Sequence, residues 1–189
     1  MTIAVLAVQG AFIEHEMMLE KIGVDCFEIR QKSDLEKSFD GLILPGGEST
    51  VQGKLLKELE LLKPLKQRIE QGLPVLGTCA GLILLAKQLS NDHAVYFGTL
   101  PVVVKRNAYG RQLGSFCTES EVKGVGTVPM NFIRAPYIEK TEGAEILAEV
   151  EGKIVAVKWK NQIGISFHPE VTYSTKIHEY FCNIVRKAM

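Results

Sequence analysis

The chain has 189 residues, of which 46% are hydrophobic and 23% are charged, and this balance excludes a disordered chain, a collagen-like repeat and a coiled coil. Its 22 Lys and Arg residues are balanced by 22 Asp and Glu residues, so the chain lacks the positive field that favours binding to nucleic acid or to an anionic membrane. The length predicts a single domain over residues 1–189, and four cysteines without zinc-site spacing predict free thiols in a reducing, cytoplasmic compartment.

The first ninety residues alternate between short apolar runs and segments with helical spacing. The apolar runs predict buried strands over residues 3–8, 26–29, 41–44 and 74–77. Helical spacing marks residues 12–22, which stop before Gly23, then 55–69, which Pro64 kinks or divides, and finally 80–89. This alternation predicts an open parallel sheet with helices on both faces, in which ligands bind beyond the carboxyl ends of the strands.

The second half of the chain, from Thr99 onward, changes to short β-rich segments. These predicted strands cover residues 100–104, 128–133, 146–150, 154–159 and 163–167. Residues 151–153 and 160–162 are predicted as the turns between the last three strands, and the strands of this half either extend the sheet or form antiparallel hairpins. A helix is predicted over residues 174–187.

A cysteine stands between a predicted strand and a predicted helix. In residues 77–81, of sequence GTCAG, the glycines allow a sharp turn that would expose the side chain of Cys79, as in a nucleophile elbow. The turn would also place the sulfur at a helix N-terminus, where the helix dipole favours the thiolate over the thiol. The segment alone is equally typical of a small buried cysteine in a tight turn.

A nucleophilic thiolate needs a group that carries protons, and His168 follows a predicted strand at the edge where ligands bind. Glu170 lies two residues further on, so in an extended segment it would face the same side and orient His168. The alternative is a loop histidine beside a proline and an exposed glutamate. His15, His93 and His178 lie in polar or helical contexts, and we expect them to be solvated or packed.

Backbone groups and two arginines complete the candidate site. The loop 45–50, of sequence PGGEST, follows the third strand, and its glycines let backbone N–H groups approach a reacting carbonyl as an oxyanion hole, with Ala80 N–H as the second donor. The loop by itself is equally typical of an ordinary helix entry. Arg106 and Arg134 lie near the ends of β-rich segments, and their planar guanidinium groups suit a substrate carboxylate, although most arginines are surface charges.

Together these motifs resemble the class I, triad-type glutamine amidotransferases, in the branch that serves vitamin B6 synthesis. The resemblance covers nearly the whole chain. It rests on the segments VQGAF (8–12) with Glu14 and His15, LPGGEST (44–50), GTCAG (77–81), RNAYGRQ (106–112), FIRAP (132–136) and FHPE (167–170). The fold that it implies is a flavodoxin-like, three-layer α/β domain, with an open, mostly parallel sheet, helices on both faces and some antiparallel strands in the C-terminal half.

The resemblance implies a glutaminase in which Cys79 attacks the side-chain amide of glutamine and forms a glutamyl thioester, while His168 carries protons and Glu170 orients His168. The oxyanion would be bound by the backbone of Gly47 and Ala80. Glutamine would be held by Gly46, Gly47, Glu48, Ser49, Arg106, Ile133 and Arg134.

The resemblance also implies a partner. Ammonia would pass to a separate synthase subunit, a (β/α)8 barrel that builds pyridoxal phosphate, and glutaminase chains would decorate a synthase dodecamer. Gln9 and Gly10, beside the expected oxyanion loop, would be relays to that partner. The glutaminase chain itself would need no cofactor, whether nucleotide, metal ion or B6 vitamer.

Three alternatives stay open at the level of the sequence. A glutaminase could serve another synthase, such as the cyclase of the histidine pathway, although RNAYGRQ and FIRAP argue against it. A non-catalytic module could retain the fold, and a free-standing γ-glutamyl hydrolase or protease would act without a partner. The run from Leu113 to Cys117 departs from the family pattern at Gly114 and Cys117, which affects the expected local packing or partner contact and leaves the triad unchanged.

Overall fold

The computed structural model describes residues 1–106 and 115–189. Most of the predicted motif at 106–112 and the departure at Gly114 therefore lie outside the described residues, whereas Arg106 and Cys117 lie inside them. Within the described ranges, no helix has the length and the apolar character needed to cross a membrane.

Helices and strands alternate in the first half of the chain, and strands dominate the second half. The helices are α1 (Phe12–Lys21), α2 (Ser49–Glu58), α3 (Leu62–Glu70), α4 (Ala80–Leu85) and α5 (Lys176–Ala188). The strands are β1 (Thr2–Leu6), β2 (Asp25–Ile29), β3 (Gly41–Leu44), β4 (Val75–Thr78), β5 (Ala86–Leu89), β6 (Leu100–Lys105), β7 (Ser115–Val122), β8 (Gly126–Ile133), β9 (Tyr137–Thr141), β10 (Glu145–Val150), β11 (Lys153–Trp159) and β12 (Gln162–Ile165). Short 3₁₀ turns cover Lys32–Glu36 and Pro169–Val171.

The main sheet has a parallel centre and an antiparallel flank. Strands β1, β3, β4 and β12 lie side by side and run parallel, and β2 extends this part beyond β1. On the other side the order continues as β11, β9, β6 and β5, and the pairs β12–β11, β11–β9 and β9–β6 are antiparallel. Strand β10 pairs with β11 off this path, and β7 and β8 form a separate hairpin. The predicted α/β class, with antiparallel strands in the C-terminal half, is confirmed.

Both faces of the sheet are buried, and alternate residues of a strand belong to different cores. In β1, Ala4 and Leu6 face one core, to which α2, α3 and α4 contribute, while Ile3 and Val5 face a second core, to which α1 and α5 contribute. All four side chains are fully buried. A strand covered on both faces requires a continuous apolar run, which is the pattern that the sequence shows there. The molecule therefore has three layers, as predicted.

The predicted helix over residues 80–89 is wrong in its second half. Helix α4 ends at Leu85, and Ala86–Leu89 forms β5, which pairs in parallel with β6. Ala86 and Leu89 are buried while Lys87 and Gln88 are exposed. A short apolar run fits a buried helix or a buried strand equally well, and the partner strand β6, distant in sequence, decides between them.

The helical stretch around Pro64 divides as predicted, but the break lies before the proline. Helix α2 ends at Glu58, Glu60 has a φ of +55°, and α3 begins at Leu62. Pro64 therefore lies in the first turn of α3, where a helix needs no backbone N–H donor.

The turns predicted at residues 151–153 and 160–162 are present as the connections of β10 to β11 and of β11 to β12, and both pairs of strands are antiparallel. Strands β7 and β9 were not predicted. Strand β7 exposes Ser115, Cys117, Glu119 and Glu121 on alternate positions, so its sequence contains few consecutive apolar residues. Its stability comes from pairing along its whole length with β8, which short-range patterns do not reveal.

Candidate active site

The candidate residues follow the ends of neighbouring parallel strands. Gln9 follows β1, the loop 45–48 follows β3, Cys79 follows β4, and His168 lies three residues beyond β12. Because parallel strands end at the same edge of a sheet, these segments meet there, and Gln9, Gly47, Cys79 and His168 line one cavity.

Cys79 occupies a strained turn between β4 and α4. Its φ is +49°, in the left-handed region that residues other than glycine rarely adopt, and such a backbone costs about 1–3 kcal/mol. The surrounding structure enforces the turn: the backbone N–H of Cys79 donates to the carbonyl of Ile165 at 2.8 Å. A β-carbon on Gly81 would lie 2.0 Å from the carbonyl oxygen of Leu44, so only glycine allows α4 to approach β3 this closely.

His168 and Glu170 form a buried pair beside the cysteine. Glu170 Oε1 lies 2.6 Å from His168 Nδ1, and the Glu170 side chain is fully buried. The segment is not extended as the sequence suggested, because Pro169–Val171 forms a 3₁₀ turn that begins after His168. The turn brings the carboxylate back to the ring. The backbone N–H of His168 donates to the carbonyl of Asn131 at 2.8 Å, which ties this segment to β8.

The surroundings of His168 favour its protonated form. Burial by itself lowers the pKa of His168, but interactions with the side chains of Cys79 and Glu170 outweigh burial and raise the pKa to about 10. Burial also opposes ionisation of Glu170, yet the neighbouring rings of His15 and His168 hold the pKa of Glu170 below its ordinary value. The geometry therefore supports an imidazolium placed between a carboxylate and a sulfur nucleophile.

The glycine loop after β3 contacts both His168 and the segment after β1. A β-carbon on Gly46 would lie 2.2 Å from His168 Cε1, so the loop backbone packs directly against the ring. The Gly46 carbonyl accepts a hydrogen bond from Ala11 N–H at 3.0 Å. Gln9 Oε1 accepts one from Glu48 N–H at 2.9 Å. These two bonds hold the loop in place beside the cavity.

The two predicted oxyanion donors belong to the residue that follows the nucleophile and to the glycine loop. Ala80 is the first residue of α4, so its N–H precedes the hydrogen bonds of the helix and can bind a ligand. Gly47 lines the cavity. Gly10 packs directly against the backbone of this loop, since a β-carbon there would lie 2.0 Å from the Gly46 carbonyl oxygen. Gln52 Nε2 donates to the carbonyls of Gln9 and Pro45, at 2.9 and 3.2 Å, and so links the segment after β1 to the glycine loop.

The cavity has a volume of about 170 Å³ and brings together most of the predicted residues. Its lining consists of Gln9, Gly47, Glu48, Ser49, Cys79, Ile83, Arg106, Ile133, Arg134 and His168. Gly46, Gly10, Ala80 and Glu170 are not part of this lining. Gly46, Gly10 and Glu170 lie behind it and support its walls, as described above. Ile83, on α4, is a lining residue that the sequence did not single out.

The two arginines of the cavity are held differently. Arg106 Nη1 lies 2.6 Å from Asp92 Oδ2, and Asn91 exchanges two hydrogen bonds of 3.1 Å with the backbone of Arg106. Arg134 has a φ of +45°, a second left-handed residue at the cavity. Strained residues that border one cavity are typical of functional sites.

His15 and His178, expected to be solvated or packed, are fully buried and lie beside the catalytic pair. His15 Nδ1 is 2.9 Å from His178 Nε2, and His15 Nε2 is 3.2 Å from Thr78 Oγ1 and 3.6 Å from Glu170 Oε2. Burial lowers the pKa of His15, and it lowers the pKa of His178 well below its ordinary value. No short-range signal predicts this contact, because the two histidines are separated by 163 positions in the chain.

An elbow cysteine, a buried histidine–carboxylate pair and a small polar cavity define a thiol-dependent amidohydrolase of the glutamine amidotransferase class. A solved structure described as a glutamine amidotransferase is similar along almost the whole chain, with a TM-score of 0.92, 40% identity, and coverage of 97% of this chain and 98% of the other. The structure of a putative GMP synthase subunit from Thermoplasma acidophilum, at 21% identity and a TM-score of 0.68, shares the fold.

The chain belongs to the SNO glutamine amidotransferase family, whose model matches residues 5–187. It is 62% identical over 186 residues to a pyridoxal 5'-phosphate synthase subunit PdxT of Desulfitobacterium hafniense strain Y51, covering 98% of this chain and 94% of the relative. It is 53% identical to a protein of the same name from Haemophilus influenzae strain PittGG, over the full length of both.

Proposed function

We propose that this chain is the glutaminase subunit of a pyridoxal 5'-phosphate synthase, hydrolysing L-glutamine to L-glutamate and ammonia and passing the ammonia to a separate synthase subunit. The observation that carries the proposal is the arrangement of Cys79 and His168 in the lining of one cavity, with Glu170 paired to His168 behind it. The two relatives described above, which match along nearly their whole length, are named as pyridoxal 5'-phosphate synthase subunits PdxT. The fold alone would allow many other activities, so the site decides.

In the first half of the reaction, the Cys79 sulfur attacks the side-chain carbonyl carbon of glutamine. The carbonyl oxygen becomes an oxyanion that the N–H groups of Gly47 and Ala80 bind. His168 donates its proton to the amide nitrogen, the carbon–nitrogen bond breaks, and ammonia leaves a γ-glutamyl thioester on Cys79. The raised pKa of His168, about 10, supports a proton donor that is loaded at neutral pH.

In the second half, His168 takes a proton from a water molecule that attacks the thioester. The carbon–sulfur bond breaks, glutamate leaves, and Cys79 and His168 return to their starting state. Glu170 holds the Nδ1 side of the ring throughout, so His168 exchanges protons only through Nε2. The short contact with Glu170 thus supports different roles for the two ring nitrogens of His168: Nδ1 is held by the carboxylate, and Nε2 transfers protons.

The remaining cavity residues suit the two charged ends of a glutamine. The guanidinium groups of Arg106 and Arg134 can bind the α-carboxylate, and the Glu48 carboxylate can bind the α-ammonium group. Gly46 shapes the loop against His168, and Gly47, Ser49 and Ile133 complete the walls. We assign substrate binding to these residues.

A synthase partner has a physical reason. Ammonia released into water at neutral pH becomes mostly ammonium, which is not a nucleophile, so direct transfer into a (β/α)8-barrel partner protects it. We propose an assembly in which glutaminase chains decorate a synthase dodecamer, with Gln9 and Gly10 as relays because they contact the glycine loop.

The four cysteines all lie in the described part of the chain and form no disulfide bond there, which supports a reducing, cytoplasmic location.

The test is glutamate release from glutamine by the purified chain, with and without a B6-synthase subunit. Cys79→Ala is the inactive variant, and Cys26→Ala is the matched control, because Cys26 is a partly exposed cysteine on β2 outside the cavity lining. We expect stimulation by the synthase, its loss in Cys79→Ala and its retention in Cys26→Ala. Absence of glutamate release under both conditions would refute the assignment, and native mass spectrometry of the mixture tests the dodecamer.

A further inference from the structure

The catalytic pair continues into the core through two histidines that the mechanism above does not use. We propose that His15, held by His178, is a positioning residue that fixes the Glu170 carboxylate behind His168. The inference rests on the proposed function, since it assigns a further residue to the same reaction. Four observations carry it: the buried Glu170 oxygen without a hydrogen-bond partner among the described residues, the tautomer of His178, the neutral state of the buried His15 and the origin of these side chains in separate helices, strands and turns.

The first observation is that only one oxygen of Glu170 is used by His168. Oε1 lies 2.6 Å from His168 Nδ1, but Oε2 is fully buried and has no hydrogen-bond partner among the described residues. His15 Nε2 lies 3.6 Å from Oε2 and is the histidine nitrogen that faces it. A buried carboxylate oxygen without a donor is costly, and a movement of a few tenths of an ångström would make this contact a hydrogen bond.

The second observation fixes where the protons lie. His178 Nδ1 is buried and has no hydrogen-bond partner within the described ranges, so a proton there would be an unsatisfied donor. The proton of neutral His178 therefore belongs on Nε2, which donates to His15 Nδ1 at 2.9 Å. His15 must then carry its own proton on Nε2, the nitrogen that faces Thr78 Oγ1 and Glu170 Oε2. His178 thus sets the tautomer that points a donor at the carboxylate.

The third observation is that His15 is neutral, because burial outweighs the charged groups around it. The titratable groups that face it are Glu170, His168, Glu14 and His178. Burial lowers the pKa of His15 most strongly, and the charge of His168 acts in the same direction, whereas Glu170 and Glu14 oppose them. A neutral donor can orient Glu170 without competing with His168 for the role of cation.

The fourth observation is that these side chains come from separate parts of the fold. His15 lies on α1, Thr78 ends β4, Glu170 lies in the 3₁₀ turn, and His178 lies on α5. A carboxylate supported only by its own turn could rotate, whereas His15 on α1, itself held by His178 on α5, restricts it from a second side. Loss of His15 should therefore loosen Glu170, weaken its support of a protonated His168 and reduce the reactive form of Cys79.

The experiment compares His15→Leu, which removes the donor, with His15→Gln, whose side-chain amide nitrogen can reach the position of Nε2. Glu20→Gln is the matched control, because Glu20 is an exposed residue of the same helix α1 and does not face His15. For each variant, kcat and KM are measured with the synthase subunit. In the isolated chain, the pH dependence of iodoacetamide labelling is read by mass spectrometry on the peptide that contains Cys79.

We expect His15→Leu to lower kcat by about 10- to 100-fold, part of the usual contribution of general acid–base catalysis, with KM for glutamine nearly unchanged. Labelling of Cys79 should require higher pH in His15→Leu, return toward the wild-type curve in His15→Gln and stay unchanged in Glu20→Gln. A purely structural role would lower thermal stability without moving the labelling curve.

Wild-type kcat and labelling in His15→Leu would overturn the inference, and so would an equal loss in His15→Leu and His15→Gln with an unmoved labelling curve. If His15→Leu does not fold, His178→Leu takes its place: a labelling shift in the same direction supports the inference, and an unchanged curve overturns it. Failure of the wild-type chain to hydrolyse glutamine with the synthase would refute the proposed function, while the labelling curves would still decide the role of His15.

Discussion

Replacement of Gly46 by alanine tests how tightly the glycine loop fixes the catalytic histidine. The added β-carbon would lie 2.2 Å from His168 Cε1 and 2.8 Å from Nδ1, far inside a normal contact between carbon atoms. The ring is also held by Glu170 at 2.6 Å from Nδ1, so relief requires a displacement of about 1 Å of the ring or of the loop. Such a misplacement at a reacting group typically costs about 100-fold in rate, or about 2.7 kcal/mol of transition-state stabilisation.

The assay is steady-state glutamine hydrolysis with the synthase subunit present. We expect kcat of Gly46→Ala to fall about 100-fold, with a smaller change in KM, because the methyl group acts on His168 more than on the arginines. Gly152→Ala is the control: it lies in the β10–β11 turn, where an added β-carbon meets nothing within 4 Å and the φ of +71° strains alanine, so it should lower stability without changing kcat. Retention of kcat within about threefold in Gly46→Ala would show that the loop and the ring are not in the tight contact that the structure describes.

Other perturbations separate substrate binding, proton transfer and stability. Asp92→Ala releases Arg106 from its 2.6 Å contact, so we expect KM for glutamine to rise several-fold with kcat nearly unchanged in the same assay. Cys79 and Glu170 together raise the pKa of His168 to about 10; Glu170→Gln removes the second of these contributions, so the loss of kcat/KM on the alkaline side should begin at lower pH. Burial keeps His178 neutral in the folded chain, whereas the unfolded chain binds a proton there below pH 6.5, so stability falls as the pH falls below that value. Denaturant unfolding of His178→Leu should therefore depend less steeply on pH below 6.5, by about 1.4 kcal/mol per pH unit, and an unchanged slope would contradict the neutral state of His178.

The parts of the fold that could be predicted are those in which neighbouring residues decide the structure. The apolar run of β1 and the strand-to-helix turn at Cys79 are both local, and the structure contains both. Residues 80–89 show the limit, because their apolar run is compatible with a helix throughout and only the pairing with β6 turns the end into β5. Strand β7 was not recognised for the same reason, since its partner β8 supplies the ordering.

The candidate site shows the same division. His168 and Glu170 are two positions apart, so their pairing could be expected, although the 3₁₀ turn that brings them together was not. His15 and His178 are different, because each lies on a helix among charged neighbours and the residue that makes each buried is far away in the chain. Polar residues on helices are usually solvated, so only the packing of α1 and α5 against the same face of the sheet reveals this pair.

The His168–Glu170 pair is fixed by contacts within the chain, and this limits which parts of the site a partner could control. The His168–Glu170 contact of 2.6 Å is made within one chain, and both groups are anchored by buried elements of that chain. Docking of a synthase therefore has little to gain by assembling this pair. The groups that a partner can still change are cavity residues at the surface, namely the exposed Glu48 and the partly exposed Arg106. We therefore expect stimulation by the synthase to depend on substrate binding and oxyanion stabilisation, and variants of the buried pair to be impaired to a similar degree with and without the partner.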